Sequence, residues 1–400
     1  MTDLLPVAEL VETTEVETTV TAARRHASFN SLAVAQVRHL TADAIEVSFA
    51  VPDDLVGEYD YLPGQYVALR TSIDGQDVRR SYSICAEPKP GEIRIAIKRD
   101  LGGLFSTWAN QSLKRGDVLH VMSPQGAFIS HHSMTGLNHP DELQAEIART
   151  PTANFVAFAA GSGITPILAI ATTALAASPS TRFDLVYANK AAMDVMFMEE
   201  LADLKDKYPA RFAVHHVLSR EQRISPLMTG RIDAEKLATI LDTVLRTDDV
   251  DEWFLCGPFE LVQLCRDTLT ARGVPADRVR YELFTTGDPQ KPEGNVGRPV
   301  LVDESAKKVN ITFKLDGLQG TVASPVHAQE SILNAALRVR PDVPFACAGG
   351  VCGTCRAKLI SGTVEMAENY ALEPDEIANG FVLTCQSHPT SDAVTVDYDA

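Results

Sequence analysis

Seven cysteines occur in this 400-residue chain, and four of them form one pattern near its end. Cys347, Cys352 and Cys355 stand with four and then two residues between them, and Cys385 follows in Leu383-Thr384-Cys385-Gln386. That is the ligand spacing of a plant-type 2Fe-2S cluster. Two irons need four thiolates, a short loop wraps three of them, and the fourth must come from a separate segment packed against the loop. Gly349, Gly350 and Gly353 let the backbone curl, adopt positive φ and aim N–H groups at sulfur. A zinc site more usually shows two paired C-x2-C knuckles, and one such pair is present. A disulfide framework does not suit a chain of this length without a secretory leader. Cys347, Cys352, Cys355 and Cys385 are therefore the candidate metal ligands. Cys85, Cys256 and Cys265 are scattered and read by default as buried thiols.

The length suggests two or three domains. A formal charge of −17 argues against nucleic acid and against an anionic membrane surface as partners, and suits docking on a basic protein surface. Five acids and no base precede residue 24, so the first 28 residues are expected to be a disordered acidic tail without the basic start of a signal peptide. Cysteine usage without a leader points to the cytoplasm. Residues 155–177 are mostly apolar, but Gly161-Ser162-Gly163 and Thr165-Pro166 interrupt them. A buried strand followed by a helix fits better than a membrane span.

Between residues 29 and 150, short alternating segments are expected as strands over 32–37, 45–49, 65–70, 79–84, 93–98 and 118–122. Turn residues such as Asp74-Gly75 and Pro90-Gly91 separate them, the pattern of a small antiparallel barrel. Arg80 and Tyr82 lie two apart on one of these strands and so face the same side. A cation for phosphate and a ring for an isoalloxazine can thus meet one flavin, with Ser83 adjacent. Gly102-Gly103-Leu104-Phe105-Ser106-Thr107 opens an expected helix, whose N-terminal N–H groups can cradle a pyrophosphate. The plain alternatives are a basic strand and a simple helix cap.

From 151 to 286 the pattern becomes strand and helix in alternation, with strands expected over 155–159, 183–187, 212–217 and 253–255. That alternation implies a parallel sheet with crossover helices. Gly161, Gly163, Thr165 and Pro166 follow the first strand and open a helix, a place where pyrophosphate can approach bare backbone. Lys190 and Arg220 follow the next two strands, where cations favour a 2′-phosphate and hence NADPH over NADH, with solvated surface charge as the alternative. Cys256-Gly257-Pro258 closes another strand at the sheet edge where nicotinamide must lie. Its plain reading is a buried cysteine before a helix. His215 and His216 read as strand residues, and no Ser-His-Asp or paired-carboxylate set stands out. A proline- and glycine-rich linker is expected over 287–303, and a third domain over 304–400 carries the cysteines.

In this order, Arg-x-Tyr-Ser, Gly-Gly-x-x-Ser, Ala-Gly-Ser-Gly-Ile-Thr-Pro and Cys-Gly-Pro resemble the ferredoxin–NADP reductase family. With its C-terminal plant-type ferredoxin domain, the chain resembles an oxygenase reductase component over about residues 29–400. Arg-Arg-Ser-Tyr-Ser-Ile-Cys, His-His-Val-Leu-Ser-Arg-Glu, Glu-Asn-Tyr-Ala-Leu-Glu-Pro-Asp-Glu and Val-Thr-Val-Asp-Tyr-Asp are most similar to the subgroup that serves phenylacetyl-CoA epoxidation. The resemblance implies a multidomain fold of antiparallel β-barrel flavin domain, α/β parallel-sheet nucleotide domain and α+β, β-grasp ferredoxin domain. It implies that Arg80, Tyr82 and Ser83 hold FAD, with Gly103 and Ser106 at its pyrophosphate. Gly161, Gly163, Thr165, Pro166, Lys190, Arg220 and Gly257 would bind NADPH, with NADH as the alternative. Tyr82 and Cys256 would face the reacting rings. Electrons would run from NADPH through FAD and the 2Fe-2S cluster to a di-iron oxygenase, which docks near Ala348 and Thr354. Two other readings stay open: the reductase of a steroid or aromatic-ring hydroxylase, and an iron–sulfur redox sensor without catalysis.

Overall fold

The computed structural model describes residues 18–22, 29–100, 102–126, 128–131, 153–247, 249–284, 307–315, 317–340, 343–345, 350, 353–369, 372 and 374–400. The expected linker at 287–303, Cys347, Cys352, Gly349, Ala348 and most of the expected 1–28 tail lie outside them. One compact unit holds residues 26–291 and 344–354, and the other holds 1–25, 292–343 and 355–400. The first described strand, β1 (Thr18–Ala22), belongs to the second of these.

The larger unit begins with six antiparallel strands: β2 (Phe29–Thr41), β3 (Ala44–Ala50), β4 (Tyr66–Ile73), β5 (Gln76–Ser83), β6 (Glu92–Lys98) and β7 (Val118–Met122). Their order is β5-β4-β7-β2-β3-β6, and an Ile84–Ile95 bridge joins the two ends into a barrel. Asp74 and Gly75 both adopt positive φ (51° and 81°), as a two-residue turn between right-twisted strands demands. Alternate residues point inward, so Ile45, Val47, Phe49, Val67, Leu69, Ile93, Ile95 and Ile97 fill the interior. Each such side chain contributes about 1.5–3 kcal/mol on burial. Helix α1 (Leu104–Ser112) closes the barrel by burying Phe105 and Ala109.

The same unit continues as a five-stranded parallel sheet of β8 (Asn154–Ala160), β9 (Arg182–Asn189), β10 (Phe212–Leu218), β11 (Glu252–Gly257) and β12 (Val279–Leu283). The order is β10-β9-β8-β11-β12, so the chain reverses direction of winding between β8 and β11. Helices α2 (Ile164–Ala177), α3 (Met198–Lys207), α4 (Ala234–Thr243) and α5 (Phe259–Ala271) make the crossovers. The apolar segment divides as expected into β8 and α2, which has 14 residues, and no described helix is long and apolar enough to cross a membrane. The sheet has one strand beyond the four expected. The outer face of the barrel is covered too: Ala44, Cys85 and Ala96 pack into the core built on Phe155 and Ile164.

The smaller unit is built on β13 (Lys308–Leu315), β14 (Leu318–Pro325), β15 (Arg356–Met366) and β18 (Ala393–Asp397), in the order β15-β18-β13-β14. The short strands β16 (Phe381–Leu383) and β17 (Ser387–Pro389) pair with β15. Helix α6 (Ile332–Leu337), capped by Ser331, is packed on β13 and β14, and α7 (Pro374–Ala378) precedes β16. Strand β13 alternates buried and outward residues, as its Val309-to-Leu315 pattern predicts. Thr18–Ala22 lies in the segment expected to be disordered, yet it pairs in parallel with Gly362–Met366. Four of its five residues are β-branched, and that local preference prevails over the acidic composition of the sequence around it.

Candidate electron-transfer site

Strand β5 carries Arg80 and Tyr82 on one side, as expected, with Arg80 opposite Leu69 and Tyr82 opposite Val67. The Tyr82 ring lies 5.6 Å from Phe105, which is 5.6 Å from Trp108, so an aromatic wall runs from the strand into α1. Burial holds the Tyr82 phenol protonated by raising its pKa. Arg80 is exposed, and it donates through Nη1 to the Arg79 carbonyl at 2.7 Å. At the start of α1, Gly103 occupies the cap position without a side-chain bond. A Cβ there would meet Ser106 Oγ at 2.6 Å. The Ser106 hydroxyl accepts from the Asp100 amide at 3.0 Å, so it is engaged within the turn. The turn offers an anion the helix N–H groups beside that hydroxyl, and the set fits a flavin dinucleotide.

The nucleotide turn is built from backbone. Gly161 sits at φ +53°, a 3-10 turn covers Gly161–Gly163, and α2 starts with neither a side-chain cap nor an acid in its first turn. Tyr187, fully buried on β9, donates from its hydroxyl to the Gly161 carbonyl at 2.9 Å and so fixes the turn. Thr165 donates to the Ser162 carbonyl at 2.9 Å. Pro166 is buried in the first turn of α2. A Cβ on Gly163 would meet the Cys256 carbonyl oxygen at 2.3 Å, so the turns after β8 and β11 touch backbone to backbone. Gly257, at φ +154°, would meet Ala160 at 3.0 Å. An uncapped helix start at the switch point between β8 and β11 fits a dinucleotide pyrophosphate. Lys190 and Arg220 are exposed, and the Arg220 amide donates to the Lys190 carbonyl at 2.7 Å, which brings the two residues' backbones together.

Cys256 is fully buried at the carboxyl end of β11. Burial, and next the Glu282 carboxylate, push its thiol well above the ordinary range, which keeps it protonated. In register beside it on β12 stands Glu282, whose Oε2 accepts from Ser83 Oγ at 3.2 Å. A barrel residue and two sheet residues thus converge, and Glu282 was not among the residues expected. Its only sequence signal is a lone carboxylate inside the edge strand Val279–Leu283. His215 and His216 lie on β10 as expected, with pKa values lowered chiefly by burial.

Of the four cysteines expected to ligate a cluster, Cys355 and Cys385 are described; both are buried and neither is in a disulfide. Thr384 donates to the Cys355 carbonyl from its amide at 3.2 Å and from its hydroxyl at 3.0 Å. The two cysteine-bearing segments are thereby brought together across 29 residues. Gly350 and Gly353 adopt positive φ (82° and 68°), as a loop curling around a cluster requires. Thr354 is half-buried. Two buried thiols of this kind fit iron ligation.

Three families match in sequence along the chain. An oxidoreductase FAD-binding domain matches residues 31–129, an oxidoreductase NAD-binding domain 158–267, and a 2Fe-2S iron-sulfur cluster binding domain 315–390. The E subunit of the 1,2-phenylacetyl-CoA epoxidase of Escherichia coli K12 is 42% identical over 373 residues, covering 93% of this chain and 98% of that one. The ferredoxin reductase component of the Rhodococcus rhodochrous 3-ketosteroid-9-alpha-monooxygenase is 32% identical, covering 92% and 96%. Phthalate dioxygenase reductase, at 20% identity, shares the fold with a TM-score of 0.50 over 92% of this chain and 98% of that one. The chain is an NAD(P)H-dependent flavin and iron–sulfur oxidoreductase, and it belongs to the family of oxygenase reductase components that includes the E subunit of the phenylacetyl-CoA epoxidase.

Proposed function

We propose that this protein delivers electrons from NADPH to a di-iron oxygenase that epoxidises phenylacetyl-CoA. The observation that supports this reading most is the 42% identity extending over 98% of the E. coli epoxidase component, with all three cofactor domains matched along this chain. Bound FAD supplies the conversion of a two-electron hydride into single electrons that an iron–sulfur centre can accept. Around it the chain's own residues bind and orient. Arg80 and the α1 N-terminus face the flavin's phosphates, while Tyr82 and Ser83 border its ring. The Gly161–Gly163 turn seats the nucleotide pyrophosphate, and Cys256 with Glu282 walls the nicotinamide end. Cys347, Cys352, Cys355 and Cys385 ligate iron, and Ala348 and Thr354 border the surface that meets the oxygenase.

NADPH is the assigned donor because the adjacent Lys190 and Arg220 match a 2′-phosphate, for which a guanidinium gives paired, charge-assisted bonds. The expected domain limits are kept: barrel 29–150, nucleotide domain 151–286, linker 287–303 and ferredoxin domain 304–400. The cytoplasm is the assigned compartment, since cluster thiolates need reducing surroundings.

A second reading, service to a steroid monooxygenase, draws on the 32% identity to the 3-ketosteroid component. Reconstitution separates the two. With purified cognate oxygenase and NADPH, phenylacetyl-CoA should be consumed in step with NADPH. Failure with every phenylacetyl-CoA oxygenase, alongside turnover of a steroid by a steroid oxygenase, would establish the second.

A further inference from the structure

Tyr398, close to the end of the sequence, terminates a hydrogen-bond chain that leads to a cluster cysteine. Its hydroxyl lies 2.9 Å from Thr384 Oγ1, and Thr384 Oγ1 lies 3.0 Å from the Cys355 carbonyl oxygen. The direction of this chain is fixed by elimination. A carbonyl cannot donate, so the single Thr384 proton goes to Cys355, and Thr384 must accept from Tyr398. The Thr384 O–H thus points at the Cys355 carbonyl oxygen, and the Tyr398 O–H points at the Thr384 oxygen behind it.

Thr384 is fully buried, directly precedes Cys385, and its own carbonyl accepts from the Leu333 amide at 2.9 Å. Tyr398 is held as firmly. Its amide donates to the Lys314 carbonyl at 2.9 Å, and its ring meets Phe313 edge-on at 6.5 Å. Burial keeps the phenol protonated, and Cys355 and Cys385 both lie close enough to raise its pKa further. A phenylalanine would fill the same space without burying a hydroxyl, so the hydroxyl is there for the contact it makes.

We propose that Tyr398 is a positioning residue for the iron–sulfur centre, which orients Thr384 between two cysteine ligands and raises the cluster's reduction potential. This rests on the reading of Cys355 and Cys385 as ligands. Reduction adds one negative charge, and two O–H dipoles whose positive ends lie on the Cys355 side, next to the fully buried Thr384, favour the reduced state.

The test is an anaerobic redox titration of the reconstituted full chain, followed by the electron paramagnetic resonance of the reduced cluster. Tyr398→Phe should keep full iron content and the parent visible spectrum. Its cluster reduction should become about fivefold less favourable, the size of one net hydrogen bond, which is a fall of about 40 mV at 59 mV per decade. Thr384→Val should lower the potential likewise, whereas Thr384→Ser, which retains the hydroxyl, should keep the parent value. A Tyr398→Phe protein with a full cluster and an unchanged potential overturns the proposal. If that variant fails to assemble, an unchanged potential in Thr384→Val overturns it equally. A parent chain that takes up no cluster removes the ligand reading itself, a result distinct from either.

Discussion

The contact between the two nucleotide turns can be tested by adding one methyl group. In Gly163→Ala the new Cβ would lie 2.3 Å from the Cys256 carbonyl oxygen and 2.6 Å from its carbon. Ordinary contact begins near 3.4 Å, so backbone must separate from backbone by about 1 Å. No flexible side chain can absorb that displacement. Overpacking of this kind costs about 1–3 kcal/mol, which for a unit of this size lowers Tm by about 2–10 °C. The larger effect should fall on chemistry. The displaced atoms belong to the strand end proposed to wall the nicotinamide, and on that reading a misplacement of about 1 Å there slows hydride transfer by about 100-fold. Stopped-flow bleaching of the flavin by NADPH measures that step, and differential scanning calorimetry measures Tm. Gly57→Ala is the control, since a Cβ there meets nothing within 4 Å. If Gly163→Ala matches both the parent Tm and the parent reduction rate, the reasoning about the switch-point contact is wrong.

Tyr187→Phe removes the bond to the Gly161 carbonyl and should raise KM for NADPH about five- to tenfold with little change in kcat; a lowered Tm with unchanged KM would mean a purely structural hydroxyl. Arg220→Ala should lower kcat/KM for NADPH about 10–100-fold, as loss of a charge-assisted bond predicts, and leave NADH within about threefold; equal losses would identify surface charge. Cys85, Cys256 and Cys265 all have pKa values raised by burial. The folded chain thus keeps protons that the unfolded chain releases, so stability present below about pH 8.5 is lost as pH rises beyond it. Urea denaturation from about pH 7.5 to 9.5 should show that decline, and Cys265→Ala should reduce the total loss over that range by about 1.4 kcal/mol; an unaltered decline would contradict the assignment.

Features carried by neighbouring residues were legible in the sequence. The cysteine spacing, the Asp74-Gly75 hairpin, the glycine turn after β8 and the alternation along β13 each follow from local chemistry, and the structure contains the hairpin, the turn and the alternation. What depended on distant partners was not legible. Glu282 accepts from Ser83, 199 positions away, and only the fold brings them to 3.2 Å. Nothing near Tyr398 announces that its hydroxyl reaches Thr384. Ser106, by contrast, carries a bond its type alone does not foretell, since its hydroxyl accepts from the Asp100 amide. Strand β1 was hidden because the acidic composition around it outweighed five residues of strand preference.

The order of electron flow is the central claim, and Cys352→Ser tests it most directly. With NADPH and the oxygenase present, the parent should show flavin bleaching followed by reduction of the acceptor. The variant should bleach its flavin at the parent rate and pass no electrons onward. Loss of flavin bleaching, or acceptor reduction at the parent rate without the cluster, would contradict a path that enters at the Gly161 turn and leaves through the cysteines.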